Sequence, residues 1–324
     1  MNAPASAETL DPALLAEPAP EVRRRWLTIG GPAVWILASV ALLATKGLFL
    51  SRDVVALWVL SGLLAFSLAD LRGNFRRIVF DWLPFFAILF AYDLLRGLVG
   101  DTAFSVNYMP QVDVDEFLFM GALPTVWLQE RLWDSGNPGL LDYSTWAIYL
   151  THFFATFLIA AILWKRAHER FIHFRNLILG VTAAAFVTYV LFPAAPPWLA
   201  SDDGLIGGVE RVVAGVWADT GFSPAEAIWQ RGSSYANEVA AIPSLHTAIP
   251  VMIMLFFWSS GRTARILGLG YALAMGFTLV YTGEHYVIDV VLGWVYSGAV
   301  FGVYGWWQRR REGSARAGDG PGAI

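Results

Sequence analysis

Eight apolar stretches dominate this sequence, at residues 32–50, 53–70, 78–95, 146–164, 177–192, 242–259, 266–282 and 286–306. Most approach the ~20 residues that an α-helix needs to cross the ~30 Å hydrocarbon core of a bilayer. In that medium every backbone N–H and C=O must find a partner within the protein, which restricts spanning segments to helices and closed barrels. Continuous apolar runs of this length predict helices. The composition agrees: 56% of the 324 residues are hydrophobic and 15% are charged, against ~45–50% and ~25% in soluble domains. A soluble enzyme, a disordered chain and a nucleic-acid binder are excluded. The expected fold class is all-α, a polytopic membrane helix bundle of about eight spans. Cysteine is absent, which removes disulfides, thiol nucleophiles and thiolate metal sites.

Residues 1–25 are expected to form a disordered cytoplasmic tail, 26–308 the membrane-embedded domain and 309–324 a second cytoplasmic tail. Arg23–Arg25 precede an apolar run long enough to stay as an anchor, unlike a cleaved signal. Eight spans place both termini on one side. The segments on that side carry 16 of the 22 basic residues, the opposite segments five, and Lys46 lies within the first span. The positive-inside bias therefore predicts cytoplasmic termini. Two outer segments, 97–145 and 193–241, are long. The first mixes Phe117, Phe119, Trp127 and Trp133 with Asp115, Glu116 and Arg131, which predicts short helices in the membrane interface. Such helices serve equally as a structural collar or as a substrate contact.

Ionisable residues in or beside membrane spans are costly and mark function. Five polar features of this chain fall at the outer ends of spans: Tyr92-Asp93-Leu94-Leu95-Arg96, His152, the Pro196-Pro197-Trp198 corner, Ser244-Leu245-His246, and Glu284-His285-Tyr286-Val287-Ile288-Asp289. His285 and Asp289 are four apart, so on a helix they share a face, and the carboxylate can fix the imidazole tautomer. Ser244 is an expected helix N-cap, and a helix start at this depth suits an anion. Together these groups suit phosphoryl chemistry: His285 as nucleophile, His246 as proton donor and Arg96 as charge-compensating cation. Asp93, three residues before Arg96, is expected to pair with it. Zinc held by His246, His285 and Asp289, or by His152, is the competing reading, but it leaves Ser244 and Arg96 without a task. Trp198 serves as an interfacial anchor or as a lipid contact. His168 and His173 are expected in a solvated cytoplasmic loop, and Asp81 lies at the inner end of the third span, far from these groups.

Pro243-Ser244-Leu245-His246 and His285-x-x-x-Asp289 resemble two signature motifs of the type 2 phosphatidic acid phosphatase superfamily. That superfamily commonly has a Ser-Arg pair upstream of the nucleophilic histidine; Thr278 and Leu279 stand there in this chain, so that arginine is absent, and the usual Lys-x6-Arg-Pro motif is not evident. Adding Tyr92-Asp93-x-x-Arg96-Gly97, Phe192-Pro193-Ala194-Ala195-Pro196-Pro197-Trp198, His285-Tyr286 and the Asp115–Gln129 segment narrows the resemblance to inositol phosphorylceramide synthases and their bacterial relatives. The resemblance implies a six-helix core and a cofactor-free, metal-independent transfer of a phospho-headgroup from a phospholipid donor to an alcohol acceptor. In the fungal enzyme that headgroup is phosphoinositol. It also implies a phosphohistidine at His285 oriented by Asp289, with His246 alternating as acid and base. Phosphate contacts fall to Arg96, Ser244, His152 and Arg231, and the lipid pocket to Tyr92, Asp93, Asp115, Trp198 and Tyr286. Hydrolysis, with water as acceptor, and lipid transport are the alternatives. The gathering of polar groups at one face, without repeat symmetry, speaks against a transporter.

Overall fold

The computed structural model describes residues 20–46, 52–99, 105–220 and 238–318, with the side chains of 20–23, 46, 52, 53, 56, 89–99 and 315–318 excepted. Among them are twelve α-helices and no strand: α1 Pro20–Lys46, α2 Arg52–Ala65, α3 Leu71–Val99, α4 Met109–Leu118, α5 Pro124–Leu132, α6 Leu140–Arg166, α7 His168–Leu191, α8 Pro197–Asp202, α9 Val212–Asp219, α10 Leu245–Phe256, α11 Arg262–Tyr281 and α12 Val287–Gly318. Each of the eight apolar runs falls on one of α1, α2, α3, α6, α7, α10, α11 and α12. Five of these (α1, α6, α7, α11 and α12) are long and apolar enough to cross a membrane by length and composition alone. The chain is an all-α polytopic membrane bundle.

Helix ends depart from the sequence expectations in three places. Helix α1 begins at Pro20, inside the segment expected to be disordered, because proline suits the first helical turn, where its missing N–H is not needed. Helix α12 continues to Gly318, well into the expected tail. Its arginines are good helix formers, and Arg310 and Arg311 stack over Trp306 and Trp307, each one turn earlier. The basic loop expected between the fourth and fifth spans shrinks to Ala167 alone. His168 therefore opens α7 and meets Asp81 of α3, Nε2 to Oδ2 at 2.7 Å. His173 lies between the rings of Phe256 and Tyr304. Neither histidine is a solvated loop residue.

The main apolar core is shared by α2, α3, α6, α7 and α10, with Trp82, Phe85, Phe171, Phe174, Leu177 and Met252 buried within it. Helix α1 is peripheral. It is hooked to α2 by reciprocal bonds, Trp35 donating to Ser61 at 3.0 Å and Trp58 to Ser39 at 2.9 Å. At the opposite end from Asp81, three irregular segments are pinned edge to edge. Asn107 and Ala240 each bridge to Ala194, through Asn107 N–H to the Pro193 carbonyl (2.9 Å), Ala195 N–H to Asn107 (2.9 Å) and Ala194 N–H to Val239 (2.7 Å). Non-helical backbone at membrane depth is tolerated only where it is satisfied by protein, and here it is.

Helix α10 has 12 residues, about 18 Å at 1.5 Å per residue, too short to span. It is sunk within the bundle, and its N-terminus lies against the start of α12. Ser244 N–H donates to the Asp289 carbonyl at 3.1 Å, and Thr247 Oγ1 reaches the Val290 carbonyl at 3.4 Å. Gly293 permits this approach: a Cβ there would lie 2.5 Å from both the Ser244 carbonyl oxygen and Thr247 Oγ1. Gly293→Ala must push α10 from α12. Overpacking of this kind costs about 1–3 kcal/mol, and the variant is expected to show a lowered unfolding temperature in nanodiscs together with loss of activity.

Candidate active site

His285 is delivered by a helix C-cap. The N–H of Glu284 bonds to the Leu279 carbonyl (3.0 Å) and that of Gly283 to Val280 (3.4 Å), the paired pattern of a Schellman motif ending α11. Gly283 takes φ +79°, the left-handed conformation that glycine adopts without a Cβ penalty. His285 N–H bonds the same Leu279 carbonyl at 3.1 Å. The nucleophile candidate is thus held before α12 begins, not on its helical face as the spacing had suggested. Its pairing with Asp289 survives: His285 Nδ1 faces Asp289 Oδ2 at 3.3 Å. The same oxygen accepts the N–H of Tyr286 at 3.0 Å, half of a capping box. One buried carboxylate therefore starts the helix and orients the imidazole.

Two further amides of that helix start go to Asp115 of α4. Its two carboxylate oxygens accept Val287 N–H (2.8 Å) and Ile288 N–H (3.0 Å), and the residue is fully buried. Expected as a pocket contact, Asp115 is instead a cap supplied from 172 residues away. A carboxylate there also complements the positive end of the α12 dipole. Burial is the largest influence on this carboxyl and raises its pKa from 3.8 to about 6, against the lowering by its two amide bonds.

His246, one residue into α10, meets the others from the side. Its ring lies 5.6 Å from that of His285 and 4.1 Å from that of His152 in α6, and it stacks on Tyr149 at 5.2 Å and 17°. Pro250, four residues on, has no N–H to give the His246 carbonyl. Ser244 occupies the N-cap position, but its hydroxyl makes no capping bond. The hydroxyl is buried without a hydrogen-bond partner among the described residues, as is His152 Nδ1. Ser244 was expected to cap by its side chain; its backbone is already fixed by Asp289, which leaves Oγ at the site unspent.

Sequence reasoning missed one large element, the Arg211–Glu284 pair. Arg211 Nε and Nη2 grip the Glu284 carboxylate at 2.6 and 3.0 Å, and the guanidinium lies 4.6 Å from the centre of the Trp198 ring. Burial opposes the charged guanidinium, but the Glu284 carboxylate outweighs it and raises the Arg211 pKa above its ordinary value. Arg211 had no motif around it and counted only as an outer-side basic residue. Tyr149 was also missed, although its spacing of three from His152 places both on one face. Trp198 is tied to the same loop, its N–H donating to the Gly283 carbonyl at 3.1 Å. Tyr286 is buried, its hydroxyl unpartnered among the described residues. Tyr92, Asp93 and Arg96 fall in the last turns of α3, where side chains are not described, and Arg231 lies outside the described residues. Among the described residues no three His, Cys, Asp or Glu side chains gather as metal ligands.

Asp115→Asn leaves one carbonyl oxygen to serve two amides. Losing one charge-assisted bond here is expected to cost about 1–2 kcal/mol and at least tenfold in turnover. The raised pKa makes a second prediction. Between 3.8 and about 6 the folded chain retains a proton that the unfolded chain has released, so this group's contribution to stability falls as pH rises across that window. Unfolding of the asparagine variant should lack that slope.

The PAP2 superfamily profile matches residues 113–303, more than half of the chain and all of the elements that carry His152, Arg211, His246, His285 and Asp289. The chain is 31% identical over 136 residues to the phosphoinositol dihydroceramide synthase of Bacteroides thetaiotaomicron, covering 40% of this chain and 44% of that one. It is 25% identical over 178 residues to the inositol phosphorylceramide synthase of Candida albicans, covering 50% and 36%. To the inositol phosphorylceramide synthase catalytic subunit of Saccharomyces cerevisiae it is 28% identical over 198 residues, covering 56% and 47%. The matches thus span less than half the length of each relative. No solved structure matches. The chain belongs to the PAP2 superfamily, on the side of it that resembles the inositol phosphorylceramide synthases.

Proposed function

We propose that this chain moves a phospho-headgroup from a phospholipid to a lipid or polyol alcohol through a phosphohistidine on His285. The observation that carries the reading is the pair of imidazoles with ring centres 5.6 Å apart, one of them backed by a fully buried carboxylate. With Nδ1–H turned to Asp289, the Nε2 lone pair of His285 attacks phosphorus. The bond from phosphorus to the lipid oxygen breaks, and His246, which enters as the imidazolium, gives that oxygen its proton and becomes neutral. In the second half the acceptor hydroxyl surrenders a proton to His246 as its oxygen attacks phosphorus and the P–N bond breaks. Each histidine ends in its starting state, and atoms and charge balance without a redox step. Ser244 and His152 contribute polar atoms to the same wall.

Transfer is favoured over hydrolysis by enclosure. His285 is 5% exposed, and α4, α5, α8 and α9 roof the ends of α11 and α12 through the Asp115, Gln129, Trp198 and Arg211 contacts. Gln129 donates to the carbonyls of Glu210 and Tyr281, both at 2.9 Å, and accepts Glu210 N–H at 2.9 Å. A site closed in this way lets a bulky alcohol compete with water. The names of the curated relatives, all synthases, support phosphoinositol as headgroup and a ceramide-type alcohol as acceptor. The 16-to-5 distribution of basic residues supports cytoplasmic termini and a site facing the outer side.

Purified protein in nanodiscs, given mixed phospholipids and a panel of lipid alcohols, should yield a new phospho-headgroup lipid by mass spectrometry. His285→Ala should lower its formation by about 10⁴-fold or more without changing the unfolding temperature greatly, and EDTA should have no effect. Free phosphate or free phospho-headgroup in place of that product would make water the acceptor. Activity lost to EDTA and restored by zinc would overturn the metal-independent mechanism.

A further inference from the structure

Phosphoryl transfer requires a fixed positive charge beside the equatorial oxygens, where charge accumulates in the transition state, and among the described residues the histidine wall itself carries none. A hydroxyl and an imidazole that gives up its proton during the reaction do not supply it, and Asp289 and Asp115 add negative charge nearby. Leu279 stands six residues before His285 and offers no charge. We propose that Arg211 is the phosphate ligand of this site, a guanidinium carried on a loop far from the histidine motifs and aimed by Glu284 and Trp198. This rests on the phosphotransferase reading above and adds to it the group that binds the reacting phosphate.

Three features of the fold converge on this assignment. Arg211 is joined to the nucleophile loop at successive points: Val212 N–H donates to the Thr282 carbonyl at 3.2 Å, a Cβ on Gly283 would lie 2.8 Å from the Glu210 carbonyl oxygen, and the side chain grips Glu284, the residue next to His285. The cation is therefore fixed to the same loop as the nucleophile. Second, the pair is largely removed from water, with side-chain exposure of 20% for Arg211 and 7% for Glu284. Burying an ion pair purely for stability gains little, because desolvation offsets the attraction. Third, Glu284 uses the Nε and Nη2 edge, and Trp198 lies against the guanidinium plane. Arginine presents five N–H donors in a rigid fork suited to phosphate oxygens. Held on one edge and one face, the group is preorganised, so little ordering is left for the moment of reaction.

Orthovanadate, which adopts the five-coordinate geometry of phosphoryl transfer, tests the assignment without turnover. Its affinity would be measured in nanodiscs by ⁵¹V NMR and by the rise in unfolding temperature. The parent chain should bind it and His285→Ala should not. Arg211→Met combined with Glu284→Met leaves no unpaired buried charge and so should fold, yet should bind vanadate about 100-fold more weakly. Glu284→Gln keeps the cation and should lose less than about tenfold, and Arg211→Lys should fall between the two. Parent-like vanadate affinity in the double variant would overturn the proposal. So would an equal loss in Glu284→Gln, which would make the pair a strut. Failure of the parent chain to bind vanadate would remove the phosphotransferase reading itself, and this assignment with it.

Discussion

A single backbone hydrogen bond, from Ser244 N–H to the Asp289 carbonyl, fixes the relation on which the site depends. It joins the first turn of a short buried helix to the first turn of a long spanning one. Gly293 lets the two backbones close to a distance that no side chain would allow. Because the two helix starts are joined, the rings of His246 and His285 lie 5.6 Å apart, the separation on which the proposed transfer rests. The positive end of α12 is met by the carboxylates of Asp115 and Asp289. The irregular segment before this 12-residue helix is satisfied by Asp289 and by the Ala194 bridges.

The segments between α3 and α6 and between α7 and α10 supply the remaining contacts of the candidate site. Helix α4 brings a carboxylate to the first amides of α12, α5 brings the amide of Gln129 to the end of α11, and the loop before α9 brings Arg211 to Glu284. Each contact crosses between segments distant in sequence and ends on the five residues Thr282–Tyr286 or their immediate neighbours. The loop that holds His285 is therefore restrained from several sides, as the proposed nucleophile role requires if the reacting atom is to be held within a fraction of an ångström. The same contacts enclose His285, and the proposed preference for transfer over hydrolysis rests on that enclosure.

Much of this was legible in the sequence. Apolar length identified the spanning helices, since a bilayer leaves few alternatives. His246, His285 and Asp289 could be named because short motifs carried them at the same depth. The boundaries and the supporting residues were less visible. Ala167 breaks a helix where four basic residues had suggested a loop, and Arg309–Arg311 prolong one where polarity had suggested a frayed tail. Asp115 stood in a recognisable segment, but nothing local reveals that its carboxylate caps a helix 172 residues later. Arg211 has no signal at all beyond its charge, because its partner Glu284 and its platform Trp198 come from two other segments. Contacts between distant segments are set by packing, and a single sequence does not display packing. Ser244 shows the reverse case: its position as an N-cap was correct, while its hydroxyl was left free by a backbone bond that spacing could not anticipate.

The central claim is that His285 carries the phosphoryl group. Acid-labile, base-stable phosphate on the protein is its direct signature. Protein in nanodiscs would be mixed with headgroup-labelled phospholipid without acceptor, quenched in alkali within milliseconds to seconds, digested and mapped by mass spectrometry. The account predicts a phospho-headgroup on His285, absent from His285→Ala and discharged on adding the acceptor alcohol. Label on another residue, or product formed at full rate with no labelled protein at any time, would contradict it.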